Sequence, residues 1–178
     1  LVAPGVTAGE GGGKEPVGRN RADILRGGEV RGDDRGAEST MGDLVGDMYL
    51  GAPTAYSKDG GEPADIAFMN PGGLRDDLIF ASSDVGEGDG VVTYAEAAAV
   101  QPFANTITTS ELTGTDIEEI LEQQWQPGQD RPKLHLGVSE GFSYEYVDDA
   151  EAGEHVVSMT LDGAASDPAA TYPVTTHS

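Results

Sequence analysis

The 178-residue sequence contains no cysteine and only ten lysines and arginines, against 32 aspartates and glutamates. The absence of cysteine excludes disulfide bonds, thiol catalysis and cysteine-ligated metal sites. The formal net charge of −22 opposes binding to nucleic acid through the general field of the protein, so an anionic ligand would need a local basic cluster. No apolar run approaches the about 18 residues that a membrane-spanning helix needs. The length suits one domain, and the start at Leu1, without methionine or signal sequence, favours a piece of a longer precursor.

Catalytic motifs are also lacking. A hydrolytic centre with two metal ions needs a cluster of aspartate, histidine and asparagine ligands. His135, His155 and His177 have no Asp-x-His or Gly-Asn-His neighbour, so we interpret each of them as a structural histidine. A Gly-x-Ser-x-Gly elbow is missing as well. The sequence therefore predicts a chain without a catalytic centre of its own.

The most informative stretch runs from Asp65 to Arg75. Its apolar residues up to Met69 predict a short buried strand, which Asn70-Pro-Gly-Gly ends. Gly72 and Gly73 allow a positive φ or a close approach to a ligand, while Asn70 and Arg75 offer donors and acceptors on either side. The alternative interpretation is a tight turn with a surface arginine.

Other segments predict three helices and five or six strands, which together indicate an α+β fold. Ser39 or Thr40 caps a first helix, in which Gly42 and Gly46 suggest close packing against another backbone. The apolar face predicted for that helix consists of Met41, Leu44, Val45 and Met48. Capping-box patterns begin at Thr93 and Thr115, and strands are predicted at 107–112, 134–138, 142–146, 156–161 and 172–175. Residues 1–16 form a predicted linker or disordered arm, and residues 17–178 form the domain.

Four motifs occur in a fixed order: N-x-G-G-x-R at Asn70–Arg75, a T-Y helix start at Thr93, P-F-x-N at Pro102–Asn105, and L-T-G at Leu112. In this order, from about Val17 to the end, the chain resembles the C-terminal, substrate-binding domain of the 5′-nucleotidase family, which includes bacterial UDP-sugar hydrolases and ecto-5′-nucleotidases. The resemblance implies mixed sheets flanked by helices, in αββα layers.

The resemblance also implies substrate-binding residues. Arg35 and Arg75 would hold the ribose and phosphate side of a nucleotide, and Arg31 matches a further phosphate-binding arginine of some members. Asn70 would approach the base, and Phe103 would be one of two aromatic rings that enclose it. The alternatives are a solvated surface position for Arg31 and a core position for Phe103. With Gly72 and Gly73, these seven residues form the predicted site.

The family motif F-x-x-G-G-D-G-(F/Y), which supplies the second ring, would follow Tyr172–Thr175, but the sequence stops at Ser178. We therefore expect a truncated recognition domain, with its metallophosphoesterase domain and two divalent metal ions in a missing N-terminal part. The expected protein is an extracellular, periplasmic or cell-wall 5′-nucleotidase-type hydrolase, with the segment alone inactive, binding a nucleotide but not nucleic acid. The alternatives are a non-catalytic extracellular nucleotide-binding module and an acidic surface-interaction protein, the latter resting on charge and the Arg31-Gly-Asp triplet.

Overall fold

A computed structural model describes residues 12–32, 34–57, 61–83 and 86–177. Its helices are α1 (Thr40–Tyr56), α2 (Tyr94–Val100) and α3 (Gly114–Glu122). Its strands are β1 (Pro16–Arg19), β2 (Ile66–Met69), β3 (Val91–Thr93), β4 (Ile107–Thr113), β5 (Gly137–Val138), β6 (Phe142–Tyr146), β7 (Val156–Leu161), β8 (Ala164–Ala165) and β9 (Thr171–His177). None of the helices in these ranges is long and apolar enough to cross a membrane.

Strand β2 lies at the centre of the fold because both of its faces are buried. Ala67 and Met69 belong to one apolar core, which includes residues of α1, whereas Ile66 and Phe68 belong to a second, which includes residues of α3 and β6. A strand that packs on both faces requires an uninterrupted apolar run, as the sequence of β2 has. Helices thus cover the sheets, and the α+β class is confirmed.

The described residues form three sheets, with strand orders β4-β9-β2-β5, β1-β3 and β6-β7-β8. In the four-stranded sheet, β9 is parallel to β2 and antiparallel to β4, and Ala67 pairs with Thr175. Because the two strands are parallel, the C-terminal ends of β2 and β9 lie at the same edge of the sheet. Asp162 and Gly163, with φ of 50° and 77°, form the turn between β7 and β8, because an Asp-Gly pair between two strands favours a tight hairpin turn.

The glycines of α1 do bring another backbone close. Ser39 is the N-cap and accepts a hydrogen bond from the Gly42 amide. A Cβ on Gly42 would lie 3.1 Å from Gly137 Cα, and one on Gly46 would lie 3.0 Å from Ser139 N. The predicted apolar face is wrong at Met48, which is 43% exposed, because the helix rests on β5 through its glycines instead.

Several predicted boundaries are corrected by the structure. The capping box of α3 is formed by Thr113 and Asp116, two residues earlier than predicted, because Thr113 ends β4 in the extended conformation that an N-cap requires. Only Gly137–Val138 of the strand predicted at 134–138 is formed. At the start of the described residues, Gly12–Lys14 forms a 3₁₀ turn and β1 begins at Pro16. Residues 1–11 lie outside the described ranges.

Candidate functional site

The loop after β2 carries the predicted site. Asn70 precedes a 3₁₀ turn at Pro71–Gly73, and neither Gly72 nor Gly73 has a positive φ. The glycines are needed for space instead. A Cβ on Gly73 would lie 2.6 Å from Met69 Cε, and one on Gly72 would lie 3.3 Å from Asn70 Nδ2 and 3.4 Å from Arg35 Nη1. Gly72 therefore lies between the side chains of Asn70 and Arg35, which are close together here although they are far apart in the sequence.

Arg75 and Phe103 lie on the other side of the turn. Arg75 donates from Nη1 to the Gly72 carbonyl oxygen at 3.3 Å, and its Cζ is 5.9 Å from the centre of the Phe103 ring. Phe103 is 51% exposed, so its ring is not a core residue and can stack with a ligand. The structure thus brings together Arg35, Asn70, Gly72, Gly73, Arg75 and Phe103.

Arg31 is the predicted site residue that the structure does not join to this group. Its Nη2 lies 3.9 Å from Asp23 Oδ2, and its side chain is 52% exposed. Within the described ranges it makes no hydrogen bond or ion pair with the other predicted site residues. Asp23 and Arg31 lie in the same connection between β1 and α1, and only the course of that connection brings the two side chains together.

The arginines of the site lack carboxylate partners. Arg26 is paired with Asp77 and donates to the Arg75 carbonyl oxygen at 2.8 Å, but no carboxylate in the described part of the chain lies within 4.0 Å of the Arg35 or Arg75 guanidinium. Burial lowers the pKa of Arg35, and the positive charges of Arg131, Arg75 and Arg26 lower it further. The site is therefore a positive spot in an acidic protein, where an anion would be stabilised.

Asn70 is oriented by two residues that the sequence does not mark as site residues. Its Oδ1 lies 2.7 Å from His177 Nε2, and His177 Nδ1 lies 2.6 Å from Asn105 Nδ2. Because the Asn70 oxygen can only accept, His177 donates from Nε2, and its Nδ1 accepts from Asn105. This arrangement turns the Asn70 Nδ2 group towards Gly72 and Arg35. Asn105 belongs to the P-F-x-N motif, but only the parallel pairing of β9 with β2 places His177 here.

The other two histidines lie in a different region, and both have protein partners. His135 Nδ1 lies 3.1 Å from Gln124 Oε1, and burial lowers the pKa of His135. His155 Nδ1 lies 2.8 Å from Glu122 Oε2, and its ring stacks on Trp125 at 4.3 Å. These contacts are those of structural histidines.

The surroundings of His155 form what we call the Lys133 cluster. It consists of Glu122, Trp125, Lys133, Tyr146, Asp148 and His155. Lys133 Nζ lies 4.0 Å from the centre of the Tyr146 ring and 4.8 Å from that of Trp125, and it is paired with Asp148. Across the described ranges, no group of three or more histidines, aspartates or glutamates could hold a metal ion.

The chain is similar to known proteins in sequence and in fold. The model of the family "5'-nucleotidase, C-terminal domain" matches residues 16–178. The endonuclease YhcR of Bacillus subtilis is 31% identical over 155 residues, or 78% of this chain and 11% of the relative. The cell wall protein Lmo0130 of Listeria monocytogenes is 33% identical over 120 residues, or 66% of this chain and 14% of the relative.

Among solved structures, the 5′-nucleotidase precursor from Thermus thermophilus superposes with a TM-score of 0.70. It is 24% identical, and the match covers 92% of this chain and 29% of the precursor, so the likeness shows the fold. The chain spans little more than a tenth of the length of the two curated relatives and under a third of this structure.

Proposed function

The chain belongs to the family of 5′-nucleotidase C-terminal domains, and on this premise we propose that it captures the nucleotide substrate of a phosphoesterase. The observation that carries the proposal is the grouping of Asn70, Arg35, Arg75 and Phe103 around one glycine turn. These residues come from three separate segments of the chain, yet they meet at one edge of the central sheet.

Each member of the group offers a contact that suits part of a nucleotide. The exposed face of Phe103 would stack on the base, a contact that contributes about 1–3 kcal/mol and tolerates different bases. The Asn70 amide would approach the edge of that base. Arg35 and Arg75 would bind phosphate or ribose hydroxyls, because a guanidinium presents its donors in a planar fork and neither has a carboxylate partner among the described residues.

We propose that the hydrolysis of the phosphate ester does not take place on this chain. The two divalent metal ions that the family resemblance implies find no suitable ligand cluster in the described ranges, so no hydrolytic step is derived for this chain. We propose that the metal-dependent step belongs to another domain of the same precursor, and that the segment alone releases no phosphate from AMP. A location outside the cell or in the cell wall is supported by the similarity to a cell wall protein.

The proposal is tested by titrating the protein with AMP in a calorimeter. We expect saturable binding that Arg75→Ala weakens roughly tenfold or more, since a hydrogen bond to a charged group contributes about 1.5–3 kcal/mol. Arg21→Ala is the matched control, because Arg21 is exposed and makes no hydrogen bond or ion pair with the group in the described part of the chain, so AMP affinity should stay unchanged. Absence of AMP binding, or equal effects of the two variants, would contradict the proposal.

A further inference from the structure

Arg35 borders two concave surfaces rather than one. On the side of the glycine turn, it shares a small cavity with Pro71 and Leu74. On the other side, it lines an open groove formed by the segment that follows α3. The remaining residues of this groove are Gln126, Gln129, Asp130, Arg131 and Leu134. Arg35 is therefore the residue that the cavity at the turn and the groove have in common.

Arg131 gives the groove its positive charge. Its side chain is exposed and makes no hydrogen bond or ion pair with any described residue, although the chain contains 32 acidic residues. By contrast, Lys133, two positions later, is paired with Asp148. Asp130 also lines the groove, but its carboxylate is not within 4.0 Å of the Arg131 guanidinium. Among the charges that act on Arg35, Arg131 has the largest effect on its pKa.

We propose that Arg131 and Arg35 form a second phosphate subsite, which selects nucleotides that carry more than one phosphate group. This inference rests on the proposed function, because the first phosphate would be held by Arg35 and Arg75 at the glycine turn. The second phosphate would reach over Arg35 to Arg131 in the groove.

The chemistry of the two side chains supports such a shared arrangement. A guanidinium has five N–H donors, so Arg35 can donate to two neighbouring phosphates at once, as a lysine cannot with comparable geometry. Two arginines without carboxylate partners repel each other, and an anion between them removes that repulsion. The amide of Gln129, which is exposed in the groove, can add a neutral donor, whereas Asp130 disfavours an anion and limits affinity.

The second phosphate could be the β-phosphate of a nucleoside diphosphate or the phosphodiester of a dinucleotide. The experiment therefore titrates the protein with AMP, ADP and the dinucleotide pApA. We expect ADP, pApA or both to bind at least threefold more tightly than AMP, and the tighter of the two identifies the source of the phosphate.

Substitutions of Arg131 then test whether the tighter binding of this ligand, relative to AMP, depends on that side chain. Arg131→Gln should weaken binding of the tighter ligand about tenfold and leave AMP within twofold, while Arg131→Lys should give an intermediate loss because it keeps the charge without the fork. Arg21→Gln, which makes the same change in net charge at a residue that does not line the groove, should change neither affinity. Asp130→Asn should tighten binding of the same ligand.

Two results would overturn the inference while leaving the proposed function intact: equal binding of all three ligands to the unmodified protein, or equal losses for AMP and the second ligand in Arg131→Gln. If AMP itself fails to bind, the proposed function fails, and inorganic pyrophosphate becomes the probe. The subsite then requires pyrophosphate binding that Arg131→Gln weakens and Arg21→Gln does not. Pyrophosphate binding that is absent, or unaffected by Arg131→Gln, would overturn it.

Discussion

The glycine-turn site and the Lys133 cluster both place a cation beside an aromatic ring, but they differ in what surrounds the pair. Lys133 Nζ lies 4.0 Å from the Tyr146 ring centre, its side chain is 16% exposed, and Asp148 neutralises its charge. Arg75 Cζ lies 5.9 Å from a Phe103 ring that is 51% exposed, and no carboxylate in the described ranges pairs with it.

From this difference we expect the Lys133 cluster to stabilise the fold and the glycine-turn residues to serve the proposed binding of a nucleotide. In the Lys133 cluster, protein atoms satisfy the hydrogen-bonding and charge requirements, so these side chains contribute to the free energy of unfolding. At the glycine turn, donors and ring faces are left to solvent, so their contribution should appear mainly in the free energy of binding. The following predictions test this division.

The largest effect on stability is expected for Glu122→Ala. The Glu122 carboxylate accepts from Val156 N at 2.6 Å, Gly153 N at 3.2 Å and His155 Nδ1 at 2.8 Å. Removing it leaves the buried His155 ring and the half-buried Val156 N–H without this partner, at a cost of about 3 kcal/mol in the free energy of unfolding, measured with urea. Glu119→Ala, on the same helix but without these contacts, should cost under about 0.5 kcal/mol. A loss under about 1 kcal/mol for Glu122→Ala, or an accompanying loss of AMP affinity, would contradict the division.

The same carboxylate makes stability depend on pH. Burial alone would raise the pKa of Glu122, but the hydrogen bonds from Val156, His155 and Gly153 bring it below its ordinary value of 4.5. A carboxylate whose pKa is lower in the folded state stabilises the fold above its unfolded pKa and loses this contribution as the pH falls. The stability difference between the unmodified protein and Glu122→Gln should therefore shrink between about pH 6 and pH 3 in urea titrations. A constant difference would show that the carboxylate charge is not involved.

The next effect concerns binding rather than stability. Phe103→Ala should weaken AMP binding by about 1–3 kcal/mol, the contribution of one stacked ring, while stability stays within about 0.5 kcal/mol. Calorimetric titration measures the first quantity and urea unfolding the second. Phe80→Ala is the control, because Phe80 is 39% exposed and lies outside the glycine-turn group. Substantial destabilisation by Phe103→Ala would place the ring among the structural residues.

A smaller loss of stability is expected for Lys133→Gln. The substitution removes two cation–π contacts and the ion pair with Asp148, which together contribute about 1–2 kcal/mol where the cation is partly desolvated. Asp148 is itself 64% exposed, so solvent screens part of the pair. Urea unfolding at constant pH measures the loss in the free energy of unfolding. An unchanged value would mean that the contacts of Lys133 with the two rings and Asp148 do not stabilise the fold.

The smallest effect has the opposite sign. Arg131→Gln should raise the free energy of unfolding by a few tenths of a kcal/mol relative to Arg21→Gln, because it relieves repulsion with Arg35 at a solvent-screened surface. The difference should grow at low ionic strength, where screening weakens. If Arg131→Gln is instead less stable than Arg21→Gln, then Arg131 stabilises the fold in the way that Lys133 does.

The sequence alone was sufficient for the features that depend on neighbouring residues. The apolar run of β2, the cap at Ser39, the capping box at Thr93 and the turn at Asp162-Gly163 each follow from residues within a few positions of one another. Gly42 and Gly46 predicted a close backbone contact correctly, because glycine weakens a helix unless its missing side chain makes room for a neighbour. The grouping of Asn70 with Arg75 was also local, since one short turn connects them.

Tertiary structure alone decided which distant groups meet. His177 reaches Asn70, 107 positions earlier, because β9 pairs in parallel with β2. Arg131 lies near Arg35, whereas Lys133, of like charge and two positions away, is enclosed by Trp125 and Tyr146. Arg31, which the family resemblance places in the site, lies beside Asp23 instead. The physical reason is that chain spacing fixes contacts within a turn or two, whereas the meeting of distant segments depends on how the whole chain packs, as in the pairing of β9 with β2.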